Sequence, residues 1–443
     1  MIPISSAVER STIRKVSIRL VPFLALMFFI NFLDRTAISF AGPNGMNRDL
    51  GLTAAQFGFA AGVFFFGYIL LEIPSNLALY KFGARRWLAR IMVTWGIVSL
   101  LLTWVSSATE LYWLRLLLGV AEAGFVPGVL LYLSMWVPAR YRSQVMALFY
   151  IAQPVTLVIG GPVEAMLINN HGAFGLAGWR VMYLGVAVPA IVLGVVAWFF
   201  LVDKPADARW LTAPEREWLT TELGKEEGTK ATSRNVFSIK ALLNRKIWKL
   251  ALIYFGVAYG IYALAFFLPT IISGFESHYG TKFSLLQQGV ITAVPYVPSA
   301  IALFFLGLYA ARLDLRAWHV GLLLVASAAS FALALHMNSP VATIAVITIP
   351  ACAIYCMMPI FWSIPSRFLS GATAAAGIAL INTMGNAAGF VAPYVTGALK
   401  DATGSYNVPM LMVGGVMMVS GLIAFNLGRQ LKGTSIQVAV PAV

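Results

Sequence analysis

The sequence has very little charge and almost no cysteine. Only 11% of its 443 residues are charged and 60% are hydrophobic, whereas a soluble domain carries about 25% charged residues. The two cysteines, Cys352 and Cys356, stand one helical turn apart in an apolar stretch, a spacing that provides neither a disulfide framework nor a metal site. This composition is typical of a membrane protein.

The sequence also lacks the motifs of an enzyme or of an ATP-driven pump. It contains no phosphate-binding glycine loop, and its four histidines have no acid or cysteine at a metal-ligand spacing. We therefore expect a protein that is not an enzyme, with no catalytic residue, no bound metal and no cofactor.

What the sequence does have is a series of long apolar stretches. A helix of about 20 apolar residues crosses the hydrocarbon core of a bilayer, and twelve such stretches follow one another along the chain. The predicted spans are 18–40, 56–80, 88–108, 110–133, 143–166 and 181–202, and then 247–273, 285–308, 318–336, 341–363, 370–394 and 407–429.

The net charge of +14 is explained by where the basic residues fall. With the N-terminus inside, 25 of the 31 basic residues are cytoplasmic, 4 are external and 2 lie within spans. This asymmetry follows the positive-inside rule. It predicts cytoplasmic termini in a multi-pass protein of the inner membrane, and it gives no reason to expect a nucleic-acid partner.

The chain contains signs of an internal repeat. The segment "LYKFGARRW" (79–87) resembles "LYAARLDLRAW" (308–318), and Pro162 and Pro393 lie at a matching offset of 231 residues (393 − 162). We predict an all-α protein of two six-helix halves, 1–202 and 247–443, joined by a cytoplasmic linker over 203–246. Two parallel six-helix repeats are the plan of the major facilitator fold, which binds its substrate between the halves.

Charged residues inside the membrane are concentrated in spans 1 and 4. Asp34 and Arg35 are neighbours in "NFLDR", and Arg115 and Glu122 in "RLLLGVAE" lie two helical turns apart on one face. Such charges cost about 2.5–3.5 kcal/mol each on insertion scales. Two interpretations stay open. The four residues form a salt-bridge network, or the arginines bind a carboxylate while the acids bind protons.

Five motifs carry a resemblance to a known family. "FLDR", "FGARRW", "RLLLGVAEAGFVPG", "GWR" and "INTMGNAAG" make the chain similar, over essentially its whole length, to the anion:cation symporter family of the major facilitator superfamily. That family includes bacterial permeases for tartrate, aldonates, phthalate and hydroxyphenylacetate. The resemblance implies proton-coupled import of an organic anion, with Asp34 and Glu122 as proton-coupling groups and Arg35 and Arg115 as anion ligands.

The resemblance also implies a set of neutral pocket residues. Gln153 and Asn382 match positions that hydrogen-bond the substrate, and Tyr68 and Trp362 match pocket positions. Helix–helix hydrogen bonds and aromatic packing are the structural alternatives for these four residues. Asn386 lies one turn beyond Asn382, on the same face.

The substrate class follows from one difference within the family. Phe32 stands where sugar-acid permeases tend to have tyrosine, which favours an aromatic or small dicarboxylic acid over a polyhydroxylated one. Glu72 and Glu164, in spans 2 and 5, have no cation on their own helix face, and we expect them to be packing or span-end acids. The alternatives to a monomeric symporter are an antiporter, a uniporter or a receptor that does not transport.

Overall fold

The computed structural model describes residues 4–231, 244–309, 316–365 and 371–430, and in these residues the regular structure is helical. Three predicted features extend beyond them. Residues 310–315 of the second repeat match, 232–243 of the linker and the tail from residue 431 lie outside the described residues.

Twelve helical segments of the described chain are long and apolar enough to cross a membrane. The prediction of twelve spans is therefore confirmed. Spans 1 to 6 are Ala7–Asp49, Ala54–Phe82, Ala84–Trp104, Ala108–Trp136, Ala139–Asn169 and Gly178–Phe200. Spans 7 to 12 are Arg245–Ser273, Leu285–Leu306, Ala317–Ala334, Pro340–Trp362, Gly377–Thr403 and Asn407–Gln430.

Spans 4, 5 and 8 are each made of two helices, where the sequence predicts one. Their helices are Ala108–Glu122 and Phe125–Trp136, Ala139–Tyr150 and Ala152–Asn169, and Leu285–Ala293 and Tyr296–Tyr309. Span 1 lies on three consecutive helical segments, Ile4–Ala41, Gly42–Met46 and Asn47–Asp49. Span 11 lies on Gly371–Thr403, which begins before the hydrophobic span.

Polar residues fix where several spans begin. Thr53 accepts a hydrogen bond from the backbone N–H of Gln56, whose side chain accepts one from the backbone of Thr53, and Ser284 and Gln287 form the same reciprocal pair. These capping boxes satisfy N–H groups that would otherwise lack partners at a helix start.

Both ends of the described chain and the linker lie at one end of the bundle, which we call the linker end; we call the opposite end the distal end. Buried apolar residues form two clusters. One runs from Val16 to Leu219 with Phe266 and Phe267, and the other from Leu250 to Leu427.

The two halves meet in backbone contact along spans 2 and 11, in their distal parts. A Cβ added at Gly58 would lie 2.1 Å from the carbonyl oxygen of Pro393, and one added at Gly397 would lie 2.0 Å from that of Ala54. Spans 5 and 8 make a similar contact at Gly161. Only glycine allows helices to approach this closely, so the halves are packed tightly at the distal end.

Asp401 adds a hydrogen-bonded contact at the distal end. Its two carboxylate oxygens accept hydrogen bonds from the backbone N–H groups of Ala54 and Ala55, at 3.0 and 2.8 Å. A carboxylate from span 11 thus caps the first turn of span 2 in the other half, where the helix dipole favours a negative charge.

The linker begins with a helix, Ala213–Ala231, whose start contacts span 1. The buried Glu215 accepts hydrogen bonds from Lys15 at 2.9 Å, from Ser11 at 2.7 Å and from the backbone of Thr212 at 2.9 Å. Thr212 directly precedes the helix and Pro214 stands in its first turn, a pattern that is typical of a helix start. The Lys15 and Ser11 contacts dock it against the N-terminal part of the bundle.

Candidate substrate and proton site

Asp34 is fully buried and is held by span 3. The indole N–H of Trp95 donates to its carboxylate at 2.8 Å, and the hydroxyl of Ser99 donates to the other oxygen. Trp95 and Ser99 lie one turn apart on span 3, so both face the same point on span 1. Asp34 is therefore solvated by neutral donors inside the first half.

Arg35 points away from Asp34, because consecutive helical residues are about 100° apart around the axis. Its guanidinium forms an ion pair with Glu122 of span 4, and the two side chains are 11% and 0% exposed. The rings of Phe64 and Tyr68 on span 2 lie 5.1 and 5.4 Å from the guanidinium carbon. The cation is thus held between a carboxylate and two aromatic faces.

Arg115 is also fully buried but has different partners. Its Nε donates to the carbonyl of Ala60 at 3.2 Å and its Nη2 lies 3.5 Å from that of Ala61. Its guanidinium carbon lies 5.3 Å from the centroid of the Phe64 ring, so both guanidinium groups are near this ring. Its remaining nitrogen, Nη1, has no hydrogen-bond partner in the described residues.

Glu122 is the last residue of its helix. The backbone becomes extended at Ala123 (ψ 130°) and left-handed at Gly124 (φ +84°), a conformation that glycine adopts without strain. The side chain of Ser75 lies so close that a Cβ at Gly124 would be 2.4 Å from its hydroxyl. The Glu122 carboxylate therefore lies at the junction of the two helices of span 4.

Glu164, which we expect to be a packing or span-end acid, is fully buried within span 5. Asp34 of span 1 and Tyr183 of span 6 lie within electrostatic range of it. The first half therefore encloses three acids and two guanidinium groups among spans 1 to 6: Asp34, Glu122, Glu164, Arg35 and Arg115.

Glu72 joins the two halves. The side-chain amide of Asn382 donates to one of its carboxylate oxygens at 2.9 Å, and the amide of Asn386 lies 3.4 Å from the other. The spacing of the two asparagines predicts their shared face. The sequence gives no sign that this face meets Glu72, because the acid and the amides lie on helices of different halves.

The remaining predicted pocket residues, Gln153 and Trp362, lie on spans 5 and 10. Gln153 is half-buried, directly after the break in span 5 at Ile151. Trp362 ends span 10, with its ring 5.0 Å from that of Tyr254. In the described residues, no hydrogen bond joins Gln153 or Trp362 to Arg35 or Glu122.

A small apolar cavity lies between the halves beside Phe32. The first half contributes Phe32 and Leu157, and the second half contributes the rest of the lining: Ile261, Leu264, Ala265, Tyr296, Ala351, Ile354 and Tyr355. Phe32 is itself buried, and it precedes Arg35 by one helical turn. An apolar surface therefore lies close to the cationic group.

Comparison with known proteins agrees with this architecture. The model of the Major Facilitator Superfamily matches residues 24–393. A putative tartrate transporter of Agrobacterium vitis is 44% identical over 427 residues, 96% of this chain and 93% of its own length. A quinolone resistance transporter of Acinetobacter baumannii is 37% identical over 94% of each chain.

A solved structure has the same fold. It is a bacterial homologue of the human lysosomal transporter Spinster in an inward-facing, occupied conformation, with a TM-score of 0.72 and 17% identity. The match covers 93% of this chain and 96% of that one.

Twelve spans with ionisable side chains buried between them are typical of a membrane transporter, and the family and relatives that match this chain are transporters and not enzymes. The chain belongs to the Major Facilitator Superfamily. The predicted fold class is thus confirmed, and relatives described as tartrate transporters agree with the resemblance to anion permeases.

Proposed function

We propose that this transporter is a symporter that imports a small organic anion together with protons, by alternating access. The observation that carries the proposal is the buried ion pair between Arg35 and Glu122. Neutralising one partner of a buried pair leaves the other charge uncompensated. The protonation of Glu122 and the availability of Arg35 are therefore coupled.

A substrate carboxylate and Glu122 compete for the same guanidinium. When Glu122 takes up a proton, it no longer neutralises Arg35, and an incoming carboxylate replaces it through two parallel hydrogen bonds. When the proton leaves on the other side of the membrane, Glu122 pairs with Arg35 again and the anion is released. One proton and one negative charge then cross together.

Asp34 and Arg115 have supporting parts in this proposal. Asp34 is a second proton site, since its carboxylate is fully buried and, in the described residues, forms no ion pair that would hold it ionised; its hydrogen-bond donors Trp95 and Ser99 are neutral. Arg115 is anchored to span 2 by the carbonyl of Ala60, which leaves Nη1 as its donor for the anion.

A small hydroxy-dicarboxylate fits this arrangement best. Cationic donors lie in the first half and the amides of Asn382 and Asn386 in the second, so a substrate with two polar ends contacts both halves. The relative described as a putative tartrate transporter supports this class. The apolar cavity beside Phe32 favours an aromatic acid as the second candidate; Tyr68, Gln153 and Trp362 remain proposed pocket residues.

The coupling is tested in proteoliposomes with labelled L-tartrate. We expect an inward proton gradient to drive accumulation by the wild type, with external alkalinisation on addition of tartrate. In Glu122→Gln, tartrate binding and tartrate exchange should persist while gradient-driven accumulation is lost. The matched control is Glu110→Gln, because Glu110 lies on the same helix and, in the described part of the chain, its hydrogen bonds are made with Ser106 and Ser107.

The outcomes separate the alternatives. Wild-type accumulation in Glu122→Gln would remove Glu122 from the proton path. Uptake that follows the membrane potential without alkalinisation indicates a uniporter, strict counter-exchange indicates an antiporter, and binding without flux indicates a receptor.

Selectivity is tested by competition against labelled tartrate. With Phe32 lining the pocket, we expect malate, tartrate or phthalate to compete better than galactonate or gluconate. A preference for the six-carbon aldonates would reverse the proposed substrate class.

We further propose that the protein works as a monomer in the inner membrane, with the linker end in the cytoplasm. The distribution of basic residues supports this orientation. A fluorescent-protein fusion at the C-terminus should fluoresce in the cytoplasm; fusion to a periplasmic phosphatase should stay inactive.

A further inference from the structure

The contact between Glu72 and two asparagines has the geometry of a carboxylate bound in a site. Each oxygen of one carboxylate faces a separate amide, Asn382 at 2.9 Å and Asn386 at 3.4 Å. The two amides lie one helical turn apart on span 11. The donors belong to the second half of the chain and the carboxylate to the first.

The position of the contact along the helices matters. In their distal parts, spans 2 and 11 touch through backbone, and a Cβ added at Gly62 would lie 2.8 Å from the carbonyl oxygen of Phe390. Glu72 lies ten residues further along span 2, or about 15 Å. There the hydrogen bonds between the two helices are made by the side chains of Glu72, Asn382 and Asn386 and not through backbone, so a ligand that replaces the Glu72 carboxylate meets side chains that can change rotamer.

We propose that Glu72 is a resident ligand that occupies the Asn382–Asn386 amide pair when no substrate is bound, and that a carboxylate of the substrate displaces it. This inference rests on the proposed function, transport of an organic anion. Displacement exchanges a bond between the halves for a bond between one half and the substrate. Substrate binding thereby releases span 2 from span 11 at this level.

The first half contains a parallel arrangement. Glu122 occupies Arg35 as Glu72 occupies the amide pair, so two donor groups of the site are each matched with a carboxylate of the protein itself, while Arg115 is held by backbone carbonyl groups. A dicarboxylate could replace both. The Glu72 exchange differs in two ways. It takes place across the two halves, and because the amides are neutral donors, Glu72 can leave them without being protonated.

The inference is tested by tartrate binding to full-length protein in nanodiscs, with Glu72→Gln and Glu72→Ala. Both variants lose the charge, but Gln keeps an acceptor oxygen for one amide. If Glu72 competes with tartrate, the apparent Kd for tartrate should decrease from the wild type to Glu72→Gln and again to Glu72→Ala, by about tenfold in total. The reason is that removing the competing Glu72 contact raises the fraction of protein that is competent to bind tartrate. Asn382→Ala should abolish the gain from Glu72→Ala.

A double variant in which the two groups exchange places controls for misfolding of the single variants. In Glu72→Gln with Asn382→Asp, the amide and the carboxylate exchange places, so the bond between the halves re-forms. We expect its Tm to be closer to that of the wild type than the Tm of Asn382→Asp alone, while tartrate binds more weakly than in the wild type, because a carboxylate now stands among the C-terminal donors.

Three results would overturn the inference. Equal gains in Glu72→Gln and Glu72→Ala would mean that only charge repulsion was removed. Unchanged affinity in Glu72→Ala, with transport by the wild type intact, would reject the resident ligand and leave the proposed function standing. A wild type that neither binds nor transports tartrate, malate or phthalate would reject both.

Discussion

Asp401 offers a direct test of how the distal end is held closed. Its carboxylate accepts hydrogen bonds from two backbone N–H groups at the start of span 2, across the boundary between the halves. Replacing a side-chain acceptor at a helix start by alanine costs about 0.5–2 kcal/mol. Asp401→Ala should therefore weaken the distal-closed state by about 1–2 kcal/mol, which changes its population relative to the distal-open state about 5- to 30-fold.

The change can be measured as a distance between the halves. Spin labels at Arg48 and Lys282, whose side chains are 84% and 79% exposed, report on the distal end once Cys352 and Cys356 have been replaced by serine. We expect Asp401→Ala to enrich the longer separation, and Asp401→Asn, which keeps one acceptor oxygen, to have a smaller effect.

A matched control removes a cap that stays within one half. Ser284→Ala deletes the acceptor for the backbone N–H of Gln287, and it should lower the Tm without changing the distance distribution. If Asp401→Ala also lowers the Tm but leaves the distances unchanged, Asp401 is only a helix cap, and our account of distal closure is wrong.

Three further predictions concern single contacts. Arg35→Lys keeps the charge but loses the planar donor pair, so tartrate affinity should fall at least about tenfold with a Tm near that of the wild type; unchanged affinity would contradict an anion-binding role. In Gly119→Val, the added Cβ would lie 1.9 Å from the carbonyl oxygen of Phe64. We expect the free energy of unfolding to fall by about 1–3 kcal/mol, measured by thermal unfolding. An unchanged Tm would contradict the close contact. Burial acts to raise the pKa of Glu215, but its hydrogen bond from Lys15 and other donors outweighs burial and lowers this pKa from 4.5 to about 2. The stabilisation of the linker helix by Glu215, about 2 kcal/mol, is therefore present above pH 4.5 and is lost as the pH falls towards 2. Limited proteolysis of the linker as a function of pH, in the wild type and in Glu215→Gln, measures this loss. The same pH dependence in both proteins would refute the prediction.

The spans are predictable because hydrophobicity and length are local properties of the chain. The breaks within spans 4, 5 and 8 are less so. A left-handed Gly124 is compatible with "AEAGF", but glycine is also common in unbroken membrane helices. What decides the conformation is the approach of Ser75 from span 2, and the sequence around Gly124 does not encode that neighbour.

In the site, too, the local spacing of residues is predictable from the sequence, and the pairing between helices is not. The heptad spacing of Arg115 and Glu122 predicts their shared burial, yet the partner of Glu122 is Arg35, and that of Arg115 is the backbone of span 2. Pairing across helices depends on which spans are adjacent. Glu72 is the clearest case, since its partners lie on span 11 and the sequence of its own helix does not indicate them.

The glycine contacts at the distal end bear on how tightly the membrane stays sealed. Where carbonyl groups of one helix rest against the Cα atoms of another, as at Gly58 and Gly397, there is no side chain that can swing aside to leave a narrow, water-filled gap. Separation of the helices must be a discrete step. A barrier that has no half-open form gives protons no continuous file of water, so many copies of this transporter in one membrane would not dissipate the proton gradient that we propose as its driving force.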